Sequence, residues 1–176
     1  VILKVSRLGH PVLRRPTEPV SPEELATPAF QRFLDDMADT MREYDGVGLA
    51  ANQVHVGKLA AVIESEAHPK YPDEPPVPLT FLVNPVIVER SPETVDGWEG
   101  CLSVPDLRGK VPRSRWVRVR ALDRRGKALE LRAEGLFARI IQHECDHLAG
   151  GVYLDRMPDL KTLSFTLEQA RFGGAG

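Results

Sequence analysis

The chain has 176 residues with a net charge of -2, 42% hydrophobic and 27% charged residues, which suits one globular domain (residues 1–176) with a sizeable core. That balance excludes a global electrostatic case for nucleic acid, and no apolar run approaches the roughly 18 residues of a membrane span. Only two cysteines occur, Cys101 and Cys145, too few for a disulfide framework and in keeping with a reducing compartment.

The chain opens with VILKVSRLGH, which lacks both an initiator Met and the long apolar stretch of a signal peptide. Residues 27–46 read as a helix. Thr27 can cap it, Pro28 suits its first turn, and Gly46 is the expected stop. Phe30, Phe33, Leu34, Met37, Met41 and Tyr44 recur at helical spacing, which is a core face. KLAAVIE (58–64) and LTFLVNPVIVER (79–90) read as strands. The proline-rich, charged segment 65–78 between them, with His68 and Tyr71, reads as a surface loop. Residues 115–133 read as a hairpin with Val117, Val119 and Ala121 inward and Trp116, Arg118 and Arg120 outward. Residues 135–149 are helical again, with Gly150 and Gly151 as the stop. GGVYLDRM is expected to add a short strand, and 159–172 a terminal helix. Strands followed by one buried helix indicate an α+β domain, small mixed or antiparallel sheets around the central helix.

The chemistry concentrates in QHECDH (142–147). On a helix turning about 100° per residue, His143 and His147 lie about 40° apart, and Cys145 lies on the opposite face. Cys145 therefore cannot share an ion with them, and it reads as a small buried hydrophobe. Glu144 and Asp146 each stand about 80° from the histidine direction, so angle does not choose between them. The H-E-x-x-H pattern does: two ligands with a glutamate as base. Asp146 reads as a supporting ion-pair group with Arg113 as a partner. Two imidazoles on a stripe with Leu136 and Ile140 would otherwise be a poor core.

Catalytic sites of this kind use three protein ligands and keep one position open. Two residues can supply the third: Glu168, downstream of His147, and Cys101 in WEGCLSVPD (98–106).

Three separated segments resemble the signature motifs of the peptide deformylases: GVGLAANQ (46–53), EGCLS (99–103) and QHECDH (142–147), in the family's order. The likeness extends to GHPVLRRP, LVNP (82–85) and the hairpin, and so covers nearly the whole chain. It implies hydrolysis of the N-formyl group from newly made, ribosome-proximal polypeptides that begin with formyl-methionine, with release of formate. It implies one divalent ion on Cys101, His143 and His147, with Fe(II) favoured and zinc, nickel or cobalt compatible with a mixed thiolate and imidazole set. Glu144 becomes the base, and Gln53 (side-chain amide) with Leu102 (backbone N–H) the oxyanion donors. Gly46, Val47 and Gly48 are expected at the substrate, whose backbone meets that of Val47–Leu49 by strand-like hydrogen bonds, and Val47, Leu136 and Ile140 are expected around the methionine side chain, with Arg139 at the rim. A bacterial cytoplasm is the expected setting, an organelle the alternative. Neither membrane association nor sequence-specific nucleic-acid binding is expected. Two rival readings stand beside this one: an endopeptidase that uses Glu168, and a metal- or nascent-chain-binding module without catalysis.

Overall fold

The computed structural model describes residues 1–66 and 74–173. His68 and Tyr71 of the expected loop lie outside them. Among the described residues, two antiparallel sheets and four α-helices make up the fold. The five-stranded sheet has the order β1-β2-β3-β6-β7, formed by Gly48–Ala50, Ala60–Ser65, Val77–Arg90, Trp116–Leu122 and Ala128–Glu134. The three-stranded sheet has the order β4-β5-β8, formed by Thr94–Cys101, Val104–Ser114 and Ser164–Phe165. The helices are α1 (Pro22–Leu25), α2 (Pro28–Glu43), α3 (Gly135–Leu148) and α4 (Thr166–Phe172).

β2 and the centre of β3 are buried on both faces, because a helix covers each. Val62, Phe81 and Val83 meet Phe30, Leu34, Met37 and Met41 of α2. Their neighbours Ile63 and Leu82 point the other way and meet Ala138, Ile140 and Ile141 of α3. This alternation explains why Ala60 to Ile63 form an unbroken apolar run, a pattern otherwise typical of doubly covered parallel sheets. In the hairpin β6–β7, Val117 and Val119 are fully buried towards α3. Arg120 on the outer face pairs with Glu130 across the ladder at 3.0 Å, and Arg132 lies over the Trp116 ring. α3 thus packs against strands of both sheets.

Several local expectations need correction. α2 begins as expected, with the Thr27 hydroxyl accepting from Phe30 N at 3.2 Å. It ends through Asp45, not Gly46. Asp45 takes the left-handed conformation (φ 53), and Gly46 N reaches back to Met41 O at 2.8 Å. Gly46 is small for another reason: a Cβ there would sit 2.9 Å from Leu102 Cδ1. The segment GGVYLDRM forms a 3-10 turn (Tyr153–Arg156), because the Asp155 carboxylate accepts from Val152 N and closes it. The terminal helix is only Thr166–Phe172, since Ser164 and Phe165 are drawn into pairing with Arg108 and Leu107. The long pair β4–β5 had no clear alternating pattern in the sequence. Strands β2 and β3 also run into the expected loop, to Ser65 and from Val77.

β3 bends where its register shifts between Val83 and Val86, and Pro85 is tolerated at that irregularity. Asn84 holds φ 51 there, and its amide ties down the N-terminal segment: Oδ1 accepts from Val20 N (2.8 Å) and Nδ2 donates to Val20 O (2.9 Å). Asn84→Ala removes both long-range bonds and leaves a Cβ-bearing residue in the left-handed region without a side-chain amide. It should cost about 1–3 kcal/mol, read as a lower urea midpoint. Asn84→Gly should recover only the backbone part of that loss.

Candidate metal centre

Three donor atoms converge where α3 meets the β4–β5 turn: Cys101 Sγ, and one ring nitrogen each from His143 and His147, all within 4.8 Å of one another. Cys101 is the last residue of β4, and Leu102 and Ser103 turn the chain into β5. His147 Nε2 lies 3.2 Å from both Cys101 Sγ and His143 Nε2. Two imidazole nitrogens pointed at each other are a poor arrangement in themselves. A tetrahedral ion with bonds of about 2.1 Å would space two nitrogens about 3.4 Å apart, so the 3.2 Å separation is close to that of a shared cation. One soft sulfur and two imidazoles suit iron, cobalt, nickel or zinc.

The supporting contacts run outward from these three residues. His143 Nδ1 donates to Glu99 Oε2 at 2.8 Å, which turns Nε2 inward. Glu99 also accepts from Arg113 Nε (2.8 Å) and Nη2 (3.0 Å), and from Arg139 Nη1 (2.9 Å). Burial alone would raise the Glu99 pKa. The bonds from His143 and Arg113 outweigh it and hold the carboxyl well below the usual range. Arg113 reaches Asp146 Oδ2 at 2.6 Å with its remaining nitrogen, and Arg156 Nη2 meets Asp146 Oδ1 at 2.7 Å. The expected Arg113–Asp146 pair is therefore present, with Glu99 as its second half. Gln142 serves structure: its amide bonds Ser114 N and O and Ala138 O.

The segment before β2 closes the other side. Asn52 Nδ2 donates to His147 O at 2.5 Å, a role the sequence reading did not assign. Gln53 is 1% exposed. Its Oε1 accepts from Ala50 N at 2.9 Å, and its Nε2 donates to Ser103 Oγ at 3.1 Å and lies 3.6 Å from Cys101 Sγ. Glu144 is buried, and its Oε2 has no hydrogen-bond partner among the described residues. Burial raises its carboxyl to about 7. Gly48 makes room for it, since a Cβ there would overlap the Glu144 carboxylate. Sequence reading placed Gly48 along the substrate and missed this contact. Only the tight packing of β1 on α3 reveals it.

A cavity of about 580 Å³ opens onto this centre. Gly46, Val47, Gly48, Gln53, Cys101, Leu102, Leu136, Ile140, His143 and Glu144 all line it. Cys145 faces away as helix geometry requires, packed against the core between α3 and the five-stranded sheet. Burial pushes its thiol up to about 12. Glu168 is exposed on α4 beside Arg171 and is not among the converging donors. His10 and His55 are exposed and contact each other.

A small α+β domain that presents H-E-x-x-H on its central helix, beside a cysteine from a neighbouring sheet, defines a class of metal-dependent hydrolases. The polypeptide deformylase family model matches residues 2–163. Peptide deformylase 1 of Bordetella pertussis is 46% identical over 94% of this chain and 93% of its own length. Among solved structures, a class I type b peptide deformylase of Acinetobacter baumannii with Met-Ala-Ser bound superposes with a TM-score of 0.86. It is 42% identical and covers 89% of this chain and 99% of that one. The Thermotoga maritima peptide deformylase superposes with a TM-score of 0.79 at 34% identity, over 90% of this chain and 99% of its own. This chain belongs to the peptide deformylase family.

Two outcomes follow from this geometry. Cys101→Ala should lose most bound metal while Cys145→Ala keeps it, as measured by elemental analysis of anaerobically purified protein. Arg113→Met should lower unfolding free energy by about 3–5 kcal/mol in urea titration, because it leaves Glu99 and Asp146 buried with fewer partners.

Proposed function

We propose that this chain hydrolyses the N-formyl group of polypeptides that begin with formyl-methionine, as one catalytic domain over residues 1–176. The observation that carries this reading is the meeting of Cys101, His143, Glu144 and Gln53 at one cavity, with the buried His147 completing the donor cluster. Cys101, His143 and His147 would hold the divalent ion, Fe(II) first, with zinc, nickel and cobalt compatible. When bound, the ion would supply Lewis acidity, which brings a water towards nucleophilic strength near neutral pH and polarises the formyl carbonyl.

The chain's own groups do the rest. The Glu144 carboxylate takes a proton from the attacking water and later delivers it to the departing amine. Burial makes that carboxylate a stronger base than a solvated one, and a nearby cation would moderate the effect. Gln53, anchored through Oε1 by Ala50 N, offers its Nε2 donor to the developing oxyanion. The Leu102 backbone N–H, next to Cys101, is the second donor. The C–N bond of the formyl amide breaks, a C–O bond forms, and formate and a free N-terminus leave.

Substrate binding follows from the same surfaces. β1 is an edge strand of its sheet, so an extended peptide can add alongside Gly46, Val47 and Gly48. Val47, Leu136 and Ile140 supply the apolar surface for the methionine side chain. The Met-Ala-Ser peptide on the Acinetobacter relative supports a peptide N-terminus as the ligand class. Nascent chains near the ribosome are the proposed source, in a bacterial cytoplasm or an organelle. No helix among the described residues is long and apolar enough to cross a membrane. With a net charge of -2, sequence-specific nucleic-acid binding is not part of this reading.

Formyl-Met peptides should be cleaved while blocked internal peptide bonds survive; the reverse result would favour the endopeptidase reading. Glu144→Gln should keep its metal and lose about 10²- to 10⁴-fold in kcat. Retained turnover in that variant would remove Glu144 from the mechanism.

A further inference from the structure

We propose that Arg139 sets the depth of the pocket that takes the first side chain of the substrate, as a wall between the active-site cavity and a second cavity beside it. The proposal rests on the deformylase reading above.

Arg139 is four residues before His143, so it shares a helix stripe with Leu136, Ile140 and that histidine. A guanidinium on this stripe is out of character with its neighbours. The ordinary fate of such a residue is to extend into solvent, yet its side chain is only 14% exposed. It is held by named acceptors: Val95 O at 2.6 Å, Val111 O at 2.8 Å, Glu99 Oε1 at 2.9 Å and Gly97 O at 3.5 Å. Gly97 matches it in shape. A Cβ at that position would lie 2.6 Å from Arg139 Nη2, so the guanidinium occupies the space a β4 side chain would otherwise fill.

The cavity on the metal-centre side measures about 580 Å³, and the second about 660 Å³. Trp98, Leu136 and Arg139 line both. Beyond the wall, the second cavity is bounded by Glu74, Pro75, Val95 and Asp96, among others. A longer apolar side chain entering past Leu136 would have to displace the guanidinium. That would take a donor from three carbonyls and from Glu99 Oε1, which would keep only Arg113 Nε, a penalty that a few extra methylenes do not recover. The wall is thus rigid because its polar bonds are satisfied. Its removal joins the two spaces.

The test compares kcat/KM for two formyl peptides, one beginning with norleucine and one with aminooctanoic acid, whose side chain is two methylenes longer. Arg139→Ala should raise the ratio of long to short by about tenfold or more, with metal content matching the parent. Arg139→Gln, which keeps an amide donor, should shift the ratio in the same direction by less, and it carries the test if the alanine variant does not fold. An unchanged ratio, with both substrates slowed alike, would overturn the proposal and leave Arg139 as a brace for Glu99. Failure of the parent protein to hydrolyse any formyl peptide would overturn the deformylase reading instead, and this inference with it.

Discussion

The buried ionic cluster of Glu99, Arg113 and Asp146 is the constraint on which the rest of the molecule depends. Its members come from β4, β5 and α3, and none is appreciably exposed. A charge taken out of water must be met by partners at short range, so the three elements can pack only in the arrangement that pairs them. Such a cluster is weak evidence for net stability, since desolvation offsets much of the attraction. Its value here is positional. Glu99 stands two residues before Cys101 and also accepts from His143, so one carboxylate sets both the end of β4 and the orientation of a ring on α3.

Around that cluster, the five-stranded sheet supplies a rigid floor. Helices cover both faces of β2 and the centre of β3, and the run through Ala60 to Ile63 has no polar side chain to accommodate. The GVGLAANQ segment then has little freedom. Asn52 is bonded to His147 O and Gln53 to Ser103, so the segment is tied to the helix and to the β4–β5 turn at once. Gly48 permits the close approach that places Glu144 against β1. Small residues in this stretch answer to contact with side chains from other elements more than to backbone conformation.

Elements whose stability is local were legible in the sequence. α2 has its cap, its first-turn proline and a continuous apolar stripe, and α3 has its stripe and a terminal glycine. The hairpin β6–β7 alternates cleanly, because one face meets α3 and the other meets water. β4 and β5 were harder to see. Their inward residues include the charged Glu99 and Arg113, which break the apolar alternation that marks a buried strand face until each is placed against the other. The late start of α4 and the 3-10 turn at Tyr153 also escaped, because they are set by pairing with β5 and by one Asp155 hydrogen bond. Asn52 and Ser103 carried no signal of their own beyond their place beside motif residues.

The sequence by itself determined that His143 and His147 share a face, that Cys145 is turned from them, and that a glutamate stands between the two histidines. Helical periodicity suffices for each, since those residues are one turn apart. It could not bring Cys101 to that face, because 42 positions and three strands, β5 to β7, separate it from His143. The likeness of motifs implied the meeting, and the tertiary structure supplied its physical reason. Antiparallel pairing of β4 with β5 carries Arg113 back beside Glu99, and Arg113 is pinned in turn by Asp146 on α3. Only when those buried charges are satisfied together does the sulfur arrive next to the two imidazoles.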